Sequence, residues 1–202
     1  MSMPSEDLTL PALFHSPQAG VHEWVGHRAI IIDTAIVGFS RRAMSQVIGP
    51  VPMKQLLVRS GFVQGWRSAS GLIRLVDPLT PHPVGESVQR LLTLLGMAHA
   101  TSLQGDGVLH FAITLERSCE AEEHRRHCGP SAEPVCWVAC GFVSGYMTRA
   151  TARLVVCREH QCVAAGESTC RLYVDVRPDS AIDATADPCA DETSAHLVQH
   201  LA

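Results

Sequence analysis

Hydrophobic and polar positions follow one another in changing registers along this chain, and each change marks an element. Residues 1–25 are polar with scattered apolar anchors (Leu10, Leu13, Phe14, Trp24), which reads as an arm that packs on another surface. The β-branched run Arg28-Ala-Ile-Ile-Ile-Asp33 predicts a short strand. Thr34 then caps a helix to about Ile48, with Ile36, Val37, Met44, Val47 and Ile48 on or near one face. Gly49-Pro50 ends it, and Pro52 suits the first turn of a second helix through Leu56, Leu57 and Phe62. Gly61 and Gly65 fit a tight approach of that helix to another element. The proline-rich residues 66–86 read as a loop.

Two strands are expected at about 90–102 and 107–116, split by the Gly-Asp-Gly turn at 105–107. Ser118 starts a helix with Glu120, Glu122 and Glu123 first and Arg125, Arg126 and His127 last, an order that complements the helix dipole. Its charge reads as a solvated face, with His124 and His127 in solvent. The next helix, about Glu133 to Met147, is apolar enough to be buried, and Gly141 and Gly145 let a neighbour come close. Residues 153–159 and 170–176 read as a hairpin, 177–190 as a linker, and Asp191 to Leu201 as a short amphipathic helix.

Composition narrows the class. The 202 residues are 46% hydrophobic and 18% charged, so one domain with a real core is expected. The net charge of −4 leaves no basic excess to hold nucleic acid. No apolar run is long enough for a membrane span, and the acidic, proline-containing start is unlike a signal peptide, so a cytoplasmic protein is expected. The eight cysteines all fall after residue 118. Cys162 and Cys170 flank the tip of the last hairpin, Glu159 lies three residues before Cys162, and Cys136 lies on the preceding helix. Thiolates and a carboxylate are competent zinc ligands, and a closed site needs four. There is no C-x-x-C pair, so spacing alone leaves buried thiols as the alternative.

The segments Thr34–Pro50 (TAIVGFSRRAMSQVIGP), Gly61–Trp66 (GFVQGW), Ser118–Glu122 (SCEAE), Glu133–Trp137 (EPVCW), Gly141–Tyr146 (GFVSGY) and Glu159-x-x-Cys162-x7-Cys170 occur in that order. They resemble the N-terminal sensor domain of sigma-54-dependent activators of aromatic catabolism, the phenol- and xylene-responsive regulators. The first two are similar to that family's TSALGxLRxxLIxxLGP and GYAxGW. Residues 115–176 resemble its vinyl-4-reductase-type portion. The resemblance covers about residues 27–176. It implies an α+β fold, an antiparallel sheet flanked by helices, with a zinc-stapled C-terminal hairpin. The implied organisation is an N-terminal arm at 1–25 that supplies a dimer contact, a sensor domain at 26–176, and a linker-like tail at 177–202. A structural zinc held by Cys136, Glu159, Cys162 and Cys170 is implied, with Cys157 and His160 as alternatives to Glu159.

The chain departs from the family at the aromatic pocket. The phenol sensors carry a His within RxHTLEG and a Trp shortly before SYEAE; Leu92 and Leu115 stand at those positions here, and Cys119 at the Tyr of SYEAE. A buried hydroxyl without a partner costs about 1–3 kcal/mol, so phenol is a poor ligand. The implied pocket is apolar, drawn from Leu92, Leu94, Phe111, Ile113, Leu115, Cys119, Phe142 and Tyr146. The expected function is a sensor that binds a small apolar, aromatic effector and, as a homodimer, controls a transcription-activating ATPase and DNA-binding module in the full-length protein or in trans. There is no G-x-x-x-x-G-K-[ST] and no G-x-G-x-x-G, so no enzyme is expected. The other readings are a stand-alone vinyl-reductase-like accessory protein of tetrapyrrole metabolism and a structural or interaction module without ligand.

Overall fold

The computed structural model describes residues 13–73, 81–105 and 110–185. Leu10, the centre of the Gly-Asp-Gly turn, Cys189 and the expected helix at 191–201 lie outside the described residues.

The described part of the N-terminal arm folds. Phe14–Gln18 (β1), Val21–Trp24 (β2) and His27–Ala29 (β3) make an antiparallel three-stranded sheet. It is anchored by Trp24, whose Nε1 donates to Ser68 Oγ at 3.1 Å. The strand expected at 28–33 stops at Ala29, because its pairing with β2 ends where Ala29 meets His22. Ile30, Ile31 and Ile32 are left exposed. The first helix, Ala35–Ile48 (α1), is capped by Asp33, whose Oδ1 accepts the Ala35 N–H at 2.8 Å; the Thr34 side chain takes no part. Gly49, at φ +87, stops it.

The second helix, Pro50–Ile73 (α2), runs well into the expected loop. Val58, Phe62, Trp66, Ala69 and Leu72 are all buried at helical spacing, and this stripe carries it through residues 66–73. Pro81–Leu94 (α3) likewise replaces the first half of the strand expected at 90–102. Val84, Val88, Leu91 and Leu92 are buried one turn apart, so burial on a helical face overrides the leucine-rich strand signal. The strand itself, His99–Gly105 (β4), follows. His110–Glu116 (β5), Cys119–Cys128 (α4), Trp137–Thr151 (α5), Arg153–Gln161 (β6) and Cys170–Ala181 (β7) complete the chain. The last strand continues five residues past the expected start of the linker at 177. Strands β4 to β7 form one antiparallel sheet in the order β4-β5-β7-β6. The expected α+β architecture with an antiparallel sheet is the architecture observed. No helix among the described residues is long and apolar enough to cross a membrane.

Two features lock α5 in place. Its glycines meet those of α2 backbone to backbone. A Cβ on Gly61 or Gly65 would strike the carbonyl of Val138 or Phe142, and one on Gly141 or Gly145 that of Val58 or Phe62. Both pairs were expected to admit a close neighbour, and each is the other's neighbour. Gly145→Ala is therefore expected to cost about 1–3 kcal/mol, because only main chain stands in the way; urea unfolding measures it, and an unchanged midpoint would contradict the crossing. On its other side α5 seals the sheet edge. Ser144 Oγ accepts the Cys157 N–H at 2.9 Å and Thr148 Oγ1 accepts that of Val155 at 3.0 Å. These edge-strand donors would otherwise have no strand partner.

Candidate functional site

The tip of the β6–β7 hairpin and the start of α5 bring four donors together. A single 3-10 turn, Val163–Ala165, joins the strands and closes on Gly166 in the left-handed region at φ +98. This turn brings Cys162 and Cys170 face to face, with their sulfurs 3.8 Å apart, and Cys136 Sγ lies 3.6 Å from Cys170 Sγ. Ligand atoms of Cys136, Glu159, Cys162 and Cys170 all lie within 4.8 Å of one another, an arrangement able to hold a metal ion. Glu159 Oε2 accepts the Cys136 N–H at 2.7 Å, while Oε1 is buried with no hydrogen-bond partner. Burial pushes the Glu159 carboxyl up to about 8 against the pull of that N–H. Cys162 is held well below the ordinary thiol value by hydrogen bonds from Cys136 and then Cys170. Cys136 is pushed up in return, chiefly by its bond to Cys162. One thiolate shared among neighbours is the state a cation would extend.

The alternatives to Glu159 lie elsewhere. Cys157 pairs with Cys140 one helical turn below Cys136, and their hydrogen bond with burial drives the Cys140 thiol well up. His160 is exposed and rests on the Tyr173 ring at 4.6 Å. Two further contacts reach the cluster: Ser118 Oγ lies 3.1 Å from Cys136 Sγ, and the Val163 N–H donates to Cys170 Sγ at 3.4 Å.

A buried ion pair holds the segment that carries Cys136. Arg41, on α1, donates through Nη2 to Glu120 Oε2 at 2.6 Å and through Nη1 to the Val135 carbonyl at 3.0 Å. Glu120, on α4, also accepts the N–H groups of Val138 (3.0 Å) and Ala139 (2.7 Å), the open donors at the start of α5. The guanidinium lies 4.6 Å from the centre of the Trp137 ring. Burial raises the Glu120 carboxyl, and Arg41 is the largest influence pulling it back. The reading of α4 as a solvated face is thus corrected. Glu120 and Glu123 are buried, and His124 and His127 are half-buried rather than in solvent. His124 sits edge-on to Trp137, and burial then the Arg41 charge lower its pKa. His127 packs against Gly38 of α1. Charge composition hid these partners, because Arg41 and Glu120 are far apart in the chain. The one local clue is Arg41 itself, opposite the apolar side of its helix.

The residues expected to line a pocket come mostly into one cluster. Phe111, Ile113 and Leu115 alternate along β5, Leu92 comes from α3, and Phe142 and Tyr146 stack one turn apart on α5, 6.4 Å between rings. Leu94 is half-buried at the edge of this cluster. Cys119 is half-buried at the start of α4, and burial then the Glu120 charge push its thiol up to about 12. The cluster is apolar except for the Tyr146 hydroxyl, which hydrogen-bonds to Ser87; burial pushes that phenol up to about 12.

With this geometry in view, comparison with known proteins is informative. Residues 9–106 match the family described as Activator of aromatic catabolism, and residues 115–175 match the vinyl-4-reductase domain family. The chain is 26% identical over 155 residues to the phenol regulator MopR of Acinetobacter guillouiae, an alignment taking in 72% of this chain and 27% of that protein. It is also 26% identical over 155 residues to the transcriptional regulatory protein XylR of Pseudomonas putida, with 74% and 27% covered. The chain thus spans about a quarter of the length of either relative. Among solved structures it is similar to the crystal structure of the phenol-responsive sensory domain of the transcription activator PoxR with phenol, at a TM-score of 0.77 and 23% identity over 94% of each chain. That likeness establishes the fold.

Proposed function

Starting from a chain built on the pattern of the sensor domains of aromatic-catabolism activators, we propose that it is a cytoplasmic regulatory domain for a small apolar, aromatic effector. The observation that carries this reading is the pair of family matches, which follow one another and take in most of the chain. The effector would occupy the cluster around Leu92, Phe111, Ile113, Leu115, Phe142 and Tyr146. Leucines stand where the phenol sensors place a His and a Trp, so the effector is a hydrocarbon or another weakly polar molecule. In this reading the domain works as a homodimer. Effector favours one of two arrangements by its difference in affinity, and an ATPase and DNA-binding module, in the same polypeptide or in trans, reads the outcome.

In the same reading Cys136, Glu159, Cys162 and Cys170 hold a structural zinc. Zn–S bonds of about 2.3 Å in a tetrahedron place sulfurs about 3.8 Å apart; the observed 3.6 and 3.8 Å fit. The unpartnered Glu159 Oε1 supports the fourth bond. Bound zinc would supply structural cross-linking, with all four positions filled by protein.

A thermal-shift screen tests the effector class. Alkylbenzenes should stabilise the protein, by about 2.7 kcal/mol at a hundred times Kd, and phenol should stabilise it little. Leu92→His combined with Leu115→Trp should move the preference toward phenol. If no apolar aromatic stabilises the wild type, the effector reading falls; if only the preference fails to move, the placement of the pocket falls.

A further inference from the structure

The first helix is inside out. Its buried side carries Gly38 and Arg41, the latter only 1% exposed. Its outer side carries Ile36, Phe39 and Val47, which are 50%, 62% and 82% exposed. These three, with half-buried Ala43, recur at helical spacing and form one apolar stripe facing away from the domain. The stripe continues at both ends, into Ile30–Ile32 before the helix and Val51 after it. Among the described residues, nine of the ten large exposed hydrophobics lie between Ile30 and Leu56. Their exposures sum to on the order of 1,000 Å², against about 800 Å² per partner in a standard interface and a few hundred for an ordinary monomer patch.

We propose that this face of α1 is where a second copy of the chain docks. The inference rests on the homodimer of the reading above and moves its contact from the arm and α4 to α1. The area matches what a stable dimer needs, and the stripe is self-complementary. A two-fold axis across the middle of the helix sets the two copies antiparallel. Ile36 then lies opposite Val47 of the partner subunit, and Phe39 lies opposite Ala43 of the partner subunit, a large ring facing a small side chain. A lipid surface fits less well. A membrane-surface helix keeps a charged face in water, whereas the opposite face of α1 is spent on α4, and of its two arginines only Arg42 is exposed.

Sedimentation of the full chain across a micromolar concentration series tests the proposal, with Phe39→Glu and Val47→Glu compared with wild type. The expected result is a wild-type dimer and at least tenfold weaker association in each variant, with unchanged circular dichroism and metal content. A dimer that survives both substitutions overturns the α1 face and leaves the homodimer standing. A wild type that is monomeric throughout overturns both. Flotation with phosphatidylglycerol vesicles is run alongside; a monomer that floats and loses this with Phe39→Glu identifies a lipid contact and also overturns the proposal.

Discussion

Replacing Glu120 by alanine is expected to lower the unfolding free energy by about 3–5 kcal/mol, a large share of the 5–15 kcal/mol of a typical domain. The loss has two sources. Arg41 is left as a buried charge, with Nε already unpartnered and the Val135 carbonyl as its remaining hydrogen-bond acceptor among the described residues. The Val138 and Ala139 N–H groups at the head of α5 also lose their acceptor. Glu116 is the control: it is exposed, its ion pair with His99 spans 3.6 Å, and its removal should cost less than about 1 kcal/mol. Replacing Arg41 and Glu120 together by Met and Leu should be milder than either single change, since no charge is then stranded. Denaturant titration of the four variants reads all of this. A Glu120→Ala midpoint equal to that of wild type would mean the pair is idle.

Removing the metal should be the other large perturbation. Purified protein is expected to carry about one zinc per chain, and Cys162→Ser to lose it. At free zinc a thousand times Kd, the bound ion stabilises by about 4.1 kcal/mol, which chelation or the substitution would remove. Elemental analysis finding no metal in wild type would end the reading. The pH dependence supplies a second signature. Without metal, burial raises Glu159 from 4.5 to about 8, so its neutral form belongs to the fold. Its contribution is complete below about 4.5 and disappears as pH rises through 8. With metal the sign reverses: binding displaces protons from the carboxyl and thiols, and affinity grows with pH. Melting curves of the two forms should therefore diverge toward alkaline pH.

Local pattern made some of this legible and left some out of reach. The glycine pairs of α2 and α5 could be read as close-approach sites because a missing side chain has a local meaning. The Ser118 cap could be read too, and its hydroxyl accepts the Ala121 N–H at 3.4 Å. The orientation of α1 could not. Its apolar residues suggested an inward face, and only Glu120, brought across from α4, makes it favourable to bury Arg41 instead. Residues 66–73 and 90–94 were hidden by a similar ambiguity. Prolines and a leucine run describe a loop and a strand in isolation, and it took the packing of α2 and α3 to select helix. At the metal cluster the residue types were legible, whereas the choice between Glu159 and its neighbours depended on the pleat, which puts His160 on the outside.

The glycine crossing bears on how such a domain can signal. Two helices in main-chain contact cannot slide past one another by fractions of a turn; each carbonyl would first have to climb over the next peptide. Helices α2 and α5 therefore travel as one strut, with the metal cluster at one end of α5 and α1 hinged to α2 at Gly49. A response transmitted through that strut takes the form of a swing of α1 as a whole, all or nothing in character, and not a graded loosening of the core.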